Sequence, residues 1–289
     1  MAFPTNGVVT APAITPADYG IFSVAKPEDS ANEDRWIRGF SQEWDTSLYS
    51  AKQWDDTDTT SHTLVNDATP TYYTDIKPFF IEVEETLSTL GFLGLDRFAR
   101  LKRQVEGITQ KAIEDELWVG AIRKVEGHDN LALSSTTATV LNGGTALSAA
   151  RALALLDYRI GLDSPCGEQG VIHMTRDVAA LLSSSYMLFH REDGRIETVS
   201  GTPIIIGSGY TGLGPTGDGS ETPSATNKWM YATGTVKVYL GDIDVVNDNL
   251  SQVYNISGNQ NDMRIKAIRP AAVYFDPSIH LAIRVDLSV

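Results

Sequence analysis

The chain has 289 residues, 42% of them hydrophobic and 21% charged, and a formal net charge of −14. That length suffices for one large or two moderate domains with a substantial core; the acidity excludes a general nucleic-acid binder, which needs many cationic contacts to phosphate, but not a container whose wall encloses nucleic acid. No run of about 18 apolar residues marks a membrane span, no basic segment leading into an apolar core marks a signal peptide, and the lone Cys166 leaves no intrachain disulfide, which fits a reducing compartment.

Residues 1 to about 33 place Pro4, Pro12, Pro16 and Pro27 among small and polar residues without helical or alternating periodicity. They read as an extended arm, disordered or laid along a partner surface. From Arg35 to Val83 the sequence is aromatic and β-favouring. Trp36, Phe40 and Trp44 in one run and Tyr73, Phe79, Ile81 and Val83 in another suit strands. Residues 51–67 between them are polar, so the expectation is an elongated hairpin whose tip leaves the body. Between Lys26 and Asp67 stand ten acids (Glu28, Asp29, Glu33, Asp34, Glu43, Asp45, Asp55, Asp56, Asp58, Asp67) against four bases (Lys26, Arg35, Arg38, Lys52). Such an excess ordinarily marks a solvated surface.

Leu95 to Val125 is the longest helical reading, proline-free, and would extend roughly 46 Å at 1.5 Å per residue. Leu95, Phe98, Leu101, Val105, Ile108 and Ala112 have the spacing of one apolar face. Asp96 suits the first turn, Arg123 and Lys124 the last. Beyond Ala112, Ile113, Leu117, Trp118, Val119, Ala121 and Ile122 point several ways, so the second half is expected to be contacted on more than one side. Gly107 is placed to bend the helix.

Residues 126–144 read as a polar link, and 145–161 as an alanine- and leucine-rich helix ending at Gly161. GVIHM (170–174) reads as a strand, after which Thr175 caps a helix TRDVAALLSSSYML with Asp177 in its first turn. Asp193-Gly194 turns between short strands, and GTPIIIG (201–207) is a buried strand. Residues 207–227, rich in Gly, Ser, Thr and Pro, read as an exposed loop. WMYATGTVKVYLGDIDVV, NDMRIKAIRPAAVYF and SIHLAIRVDL follow as strands; Val236, Val238 and Leu240 alternate with Lys237 and Tyr239. These last strands are the natural surface for the long helix, which makes the middle of the chain an insertion.

Gly207-Ser208-Gly209-Tyr210-Thr211-Gly212 spells G-x-G-x-x-G after an apolar strand. A dinucleotide site needs that loop to open a helix whose amides hold the pyrophosphate. LGPTGDGSETPSATN cannot be that helix, and no acidic residue closes a second strand of a βαβ unit; a flexible glycine loop is the better reading. Asp55-Asp56-Thr57-Asp58 with His62 lacks the turn glycine and closing glutamate of a calcium loop. His62, His128, His173, His190 and His280 form no HExxH or His/Cys pairing, and His173 and His280 read as structural. Cys166 has no companion motif of a nucleophile. The residues call for no catalytic, cofactor or metal role.

The order arm, hairpin, long helix, mixed middle and closing strands resembles that of the major capsid proteins of tailed double-stranded-DNA phages, a fold shared with encapsulin shells. GVIHMTRDVAALL (170–182), GTPIIIGSGY (201–210), WMYATGTVKVYLGDIDV (229–245) and above all IRPAAVYFDPSIHLAIRVDL (268–287) carry the likeness, the last resembling capsid subunits of actinobacteria-infecting phages. The resemblance as a whole covers about the last 210 residues; the first 75 match by layout. The resemblance implies an α+β fold with an N-terminal arm (1–33), an extended hairpin loop (34–77), a peripheral domain with a spine helix (78–144), an inserted axial domain (145–245) and strands returning to the peripheral domain (246–289). It implies a non-enzymatic subunit of an icosahedral head, assembled in the host bacterial cytoplasm into hexamers and pentamers. Such a shell has portal and scaffold partners, with any scaffold a separate protein, and encloses double-stranded DNA without reading its sequence. Some capsids of the family cross-link a loop lysine to a neighbour, and Lys52 lies in that loop. Asp55, Asp56 and Asp58 are candidate inter-subunit contacts, set against Arg97, Arg100 and Arg103 of a neighbour's helix. The alternatives are an encapsulin-like compartment and a dinucleotide-binding enzyme.

Overall fold

The computed structural model describes residues 16–29, 36, 39–44, 72–88, 97–120, 130–164, 169–215, 224–247 and 262–288. A one-turn helix α1 (Ile21–Val24) leads to the short strand β1 (Glu28–Asp29). β2 (Phe40–Trp44) and β3 (Tyr72–Ile76) pair antiparallel from Phe40↔Ile76 to Trp44↔Tyr72, so the base of the expected hairpin is present. β4 (Phe79–Ser88) then leads to the long helix α2 (Arg97–Val119).

Next come β5 (Thr139–Val140), β6 (Leu147–Ser148) and helix α3 (Ala149–Asp163). β7 (Val171–Met174), helix α4 (Arg176–Ser184), β8 (Phe189–His190), β9 (Ile196–Glu197) and β10 (Pro203–Ile206) follow. The chain closes through β11 (Asn227–Thr233), β12 (Val236–Leu240), β13 (Asp244–Asn247), β14 (Asp262–Phe275) and β15 (His280–Asp286).

The strands form two main sheets. One is ordered β1-β12-β14-β13, with β4 also on β14; the other is ordered β5-β15-β11-β7-β10-β9-β8, with β6 also on β15. A two-stranded antiparallel ribbon runs through both. β11 pairs β15 from Asn227↔Asp286 to Thr233↔His280, and β12 pairs β14 from Val236↔Phe275 to Leu240↔Ala271. Between the two ladders the amide of Gly234 donates to Asp276 and Ile279 carbonyls, and that of Asp276 to Thr235. The single strand expected across 229–246 is therefore divided among β11, β12 and β13 in two sheets.

The second sheet is buried on both faces, which is why its strands read as continuous apolar runs. Ile172, Met174, Met230, Ala232, Leu281 and Ile283 face the core under α3 and α4. Val171, Ile205, Tyr231 and Ala282, one residue out of phase, face the core around α2. α2 also packs on β4 and β14. There Phe79, Ile81, Val236, Val238, Leu240, Ile265 and Val273 point inward. The outer face of this first sheet receives the hairpin's foot, where Ile76 packs with Ala272, Tyr274, Trp36 and Tyr239.

α2 differs from its sequence reading in three ways. It stops at Val119, because Gly120 takes the left-handed conformation (φ +65°) and donates its amide back to the Glu116 carbonyl. Its last carbonyls are occupied by the returning chain: the amides of Leu133 and Ser134 donate to Leu117 and Trp118 at 2.9 and 3.0 Å. Its buried stripe is rotated. Leu101 and Val105 are buried as expected, but Phe98 and Ile108 are 45% and 41% exposed, while Thr109 and Ile113 face inward. The helix runs unbroken through Gly107. Its second half is contacted on several sides, since Ile113, Glu114, Glu116, Leu117 and Trp118 are all buried.

Smaller corrections follow the same logic. α3 begins at Ala149 and passes through Gly161 to Asp163, since Leu147 and Ser148 are drawn into pairing with β15. α4 ends at Ser184, and Thr175 at its N-cap position gives its hydroxyl to the Asp177 carboxylate.

The rotation of the α2 stripe is testable by two substitutions. Val105→Asp puts a carboxylate at a fully buried position and is expected to cost more than about 3 kcal/mol. Ile108→Asp, on the same sequence stripe but at an exposed position, is expected to stay within about 1 kcal/mol of the parent. Urea unfolding followed by circular dichroism compares them, and equal losses would contradict the rotation.

Candidate functional site

On the inner side of α2, Gln110 and Glu114 are one turn apart and both buried, Glu114 completely. A buried carboxylate needs several donors around it. Glu114 Oε1 accepts from the amide of Ile21 at 3.0 Å and from Gln110 Nε2 at 2.9 Å. Its Oε2 accepts from the amides of Ser208 at 2.6 Å and Gly209 at 3.0 Å. Gln110 Oε1 in turn accepts from the Ala17 amide at 2.9 Å. The amide of Ile206, at the end of β10, donates to the Tyr19 carbonyl at 2.9 Å. One helix face thus holds two segments remote in sequence, 17–21 and 207–210.

The approach is close enough to exclude side chains. A Cβ on Gly209 would overlap the Lys111 carbonyl and lie 2.7 Å from the Asp115 amide, and one on Gly20 would overlap the Gln110 side chain. Behind the loop, Tyr210 lies against Trp118 with ring centroids 4.7 Å apart, and Trp118 meets Tyr231 edge-on at 5.0 Å. Burial, reinforced by the nearby Glu114 charge, pushes the Tyr210 phenol well above its ordinary range.

Two sequence readings are corrected here. Residues 207–214 are not an exposed loop: Gly207, Gly209, Tyr210, Gly212, Leu213 and Gly214 are buried. The G-x-G-x-x-G glycines serve close packing on α2, and the Ser208 and Gly209 amides, which a pyrophosphate would need, are taken by Glu114. Residues 16–29 do not leave the body either. Ile21 is fully buried, and β1 pairs parallel with β12 at Glu28↔Tyr239. The apolar turn Ile21–Val24 supplies the anchor that a proline-and-polar reading overlooks.

Asp55, Asp56 and Asp58, with Lys52, lie outside the described residues. Arg97 opens α2, and Arg103 is half-buried on it. Arg100 is half-exposed and 3.9 Å from the Glu85 carboxylate on β4. Cys166 also lies outside the described residues. Glu114 and Gln110 went unnoticed in the sequence; their one signal is polarity within the stretch of α2 where apolar residues point in every direction.

No family model and no curated protein matches the chain. Solved structures do. The capsid of an empty GTA particle computed with C5 symmetry aligns at a TM-score of 0.57 and 12% identity, covering 99% of this chain and 96% of that one. A chain of Mycobacterium phage Cain gives 0.54 and 12%, covering 95% and 91%. The capsid of Ralstonia phage GP4 gives 0.52 and 11%, covering 98% and 95%. The chain therefore has the α+β fold of tailed-phage major capsid proteins.

The clasp on Glu114 yields a stability prediction. Glu114→Ala removes the acceptor of three backbone amides and is expected to destabilise the subunit by at least about 3 kcal/mol. Deleting residues 1–15 leaves the clasp intact and is expected to preserve the melting temperature. Deleting residues 1–33 removes Ile21 and β1 and is expected to lower it by several degrees. Calorimetry of the three variants checks this, and equal melting of the two truncations would contradict anchoring by Ile21.

Proposed function

We propose that the chain is the structural subunit of a phage head, self-assembling into an icosahedral shell around double-stranded DNA. The observation that carries this is the end-to-end match to capsid chains, 99% of this chain on 96% of a capsid subunit. The net charge of −14 suits a wall that encloses a genome without gripping it. The subunit acts by geometry: a rigid body built on α2 presents surfaces to several neighbours, and hexamers and pentamers close the shell.

Within this reading the sheet holding α2 is the peripheral part and the sheet under α3 and α4 the axial part. Divided by sheet, β12 and β13 fall in the former and β15 in the latter, with the crossings at Gly234 and Asp276. Portal and scaffold partners and assembly in the host cytoplasm follow from the same reading. Purified protein examined by negative-stain microscopy tests it: closed shells are expected, containing DNA when isolated from infected cells. Protein that stays monomeric under all assembly conditions would overturn the reading, and shells filled with a cargo enzyme would point to an encapsulin.

For such a shell we propose an electrostatic contact in which Asp55, Asp56 and Asp58 of one subunit meet the basic helix surface of a neighbour at Arg97, Arg100 and Arg103. Each exposed pair contributes only about 0–1 kcal/mol, so the effect is collective. Changing all three acids to lysine is expected to leave circular dichroism unchanged while reducing assembly, most at low ionic strength where screening is weakest. Sedimentation decides it; normal shells from the triple variant at low salt would dismiss the electrostatic contact.

A further inference from the structure

Two buried histidines, His173 on β7 and His280 on β15, stand where the second sheet meets α2. Their bonding fixes their protonation. The Thr233 hydroxyl donates to the Gly234 carbonyl at 2.9 Å and lies 2.9 Å from His173 Nε2. A hydroxyl has one proton to give, so Nε2 carries the hydrogen and donates to Thr233 Oγ1. Nδ1 is then the bare nitrogen, accepting from the Tyr210 hydroxyl at 2.9 Å. His280 is bonded the same way: Nε2 donates to the Leu133 carbonyl at 3.0 Å, and Nδ1 faces the Thr137 hydroxyl at 3.4 Å. Each neutral ring ends a path to α2. From His173 the path runs through Tyr210 and its loop to Glu114; from His280 it runs through Leu133 to the Leu117 carbonyl.

We propose that these two histidines form an acid-released latch between the second sheet and the long helix, opening the 207–214 loop before the rest of the subunit unfolds. The titratable groups around His173 are Tyr231 across the ladder on β11, Tyr210 in the loop, His280 on β15, and Glu114 on α2 acting on Tyr210. The nitrogens of both rings are engaged by hydroxyls and a carbonyl, so no carboxylate among these bonds holds a proton on them. A proton can enter His173 only at Nδ1. There the new N–H turns toward the Tyr210 oxygen, the phenol proton loses its acceptor, and a charge with no carboxylate among its bonds lies in a fully buried site. The site relieves this by opening, which separates Tyr210 and its loop from α2 and strips Ser208 and Gly209 from Glu114.

The sign follows from the closed and open states. Burial, then the neighbouring His280, lowers closed His173 to about 3, and burial lowers His280, offset in part by its bond to Leu133. An open, hydrated histidine titrates near 6.5. The part of the latch held by His173 therefore keeps its full strength above pH about 6.5 and loses it as pH falls toward 3; release of its loop takes up that one proton, so the open fraction of the loop rises about tenfold per pH unit.

Hydrogen exchange of the 289-residue chain between pH 7.5 and 4.5, corrected for intrinsic exchange, tests this. The opening constant of amides 208–214 is expected to rise about tenfold per pH unit below 6.5, well ahead of the α3 amides 153–160. His173→Gln, which can still accept from Tyr210 and donate to Thr233, is expected to flatten that rise. If this variant does not fold, imidazole carbon NMR of the unaltered protein decides, with His173 expected to stay neutral at pH 5. A loop opening that is flat with pH, that coincides with α3 exchange, or that keeps its slope in His173→Gln would overturn the latch, as would a His173 resonance titrating near 6.5.

Discussion

The structure depends on a buried carboxylate held mainly by backbone amides. Glu114 is fully buried, and a carboxylate in such a place is tolerated only when donors surround it. Besides Gln110 one turn away, its donors come from segments more than 90 positions away, at Ile21, Ser208 and Gly209. The dependence is mutual. Irregular backbone cannot be buried with its amides unpaired, so the 207–210 turn can lie against α2 only because an acceptor stands there. An apolar residue at 114 would fit the surrounding packing but would leave those amides bare.

From this contact the layers follow. With α2 fixed against the loop, its last turns lie between the two sheets, and Trp118 fills the gap against Tyr210 and Tyr231. The sheets themselves are joined by the ribbon of β11–β12 with β14–β15, whose crossings at Gly234 and Asp276 bond to each other. Neither sheet can move as a unit without disturbing either the ribbon or the clasp. His173 bonds toward both, reaching Gly234 through Thr233 and Glu114 through Tyr210 and its loop. That places a buried, neutral histidine at the point where the two layers are coupled.

Much of the architecture is readable in the residues, and the failures share a cause. Alternation in VKVYL, the apolar runs of VIHM and PIII, and the Asp193-Gly194 turn depend on neighbours in sequence, and each appears where periodicity puts it. The rotated face of α2 does not, because Phe98 and Ile108 obey the spacing of a buried stripe while the sheets approach the helix from another angle. The helix end at Gly120 is missed because the apolar and basic residues beyond it continue the pattern, and a left-handed glycine is silent in hydropathy. The clasp is least legible of all. A glutamate among apolar neighbours and a glycine loop 93 residues later carry no local sign that one was built for the other, and G-x-G-x-x-G suggests a ligand's phosphate where the actual anion is the protein's own.

The division between strong and weak interactions has a consequence for the proposed role in a shell. Association loses free energy to the ordering of whatever is loose at the interface. A body already fixed by buried bonds brings little such loss, so exterior contacts of about 0–1 kcal/mol each go into association instead of into folding. If single contacts were strong, misplaced subunits would be trapped; if the body were soft, weak contacts would not suffice. Placing the charge-assisted bonds of Glu114 inside, and leaving half-exposed cations such as Arg100 on the outer surface of the same helix, separates the two requirements on opposite faces of one element. The long helix is thus the internal fastening through its buried polar face, and the proposed contact with neighbours would use the face opposite.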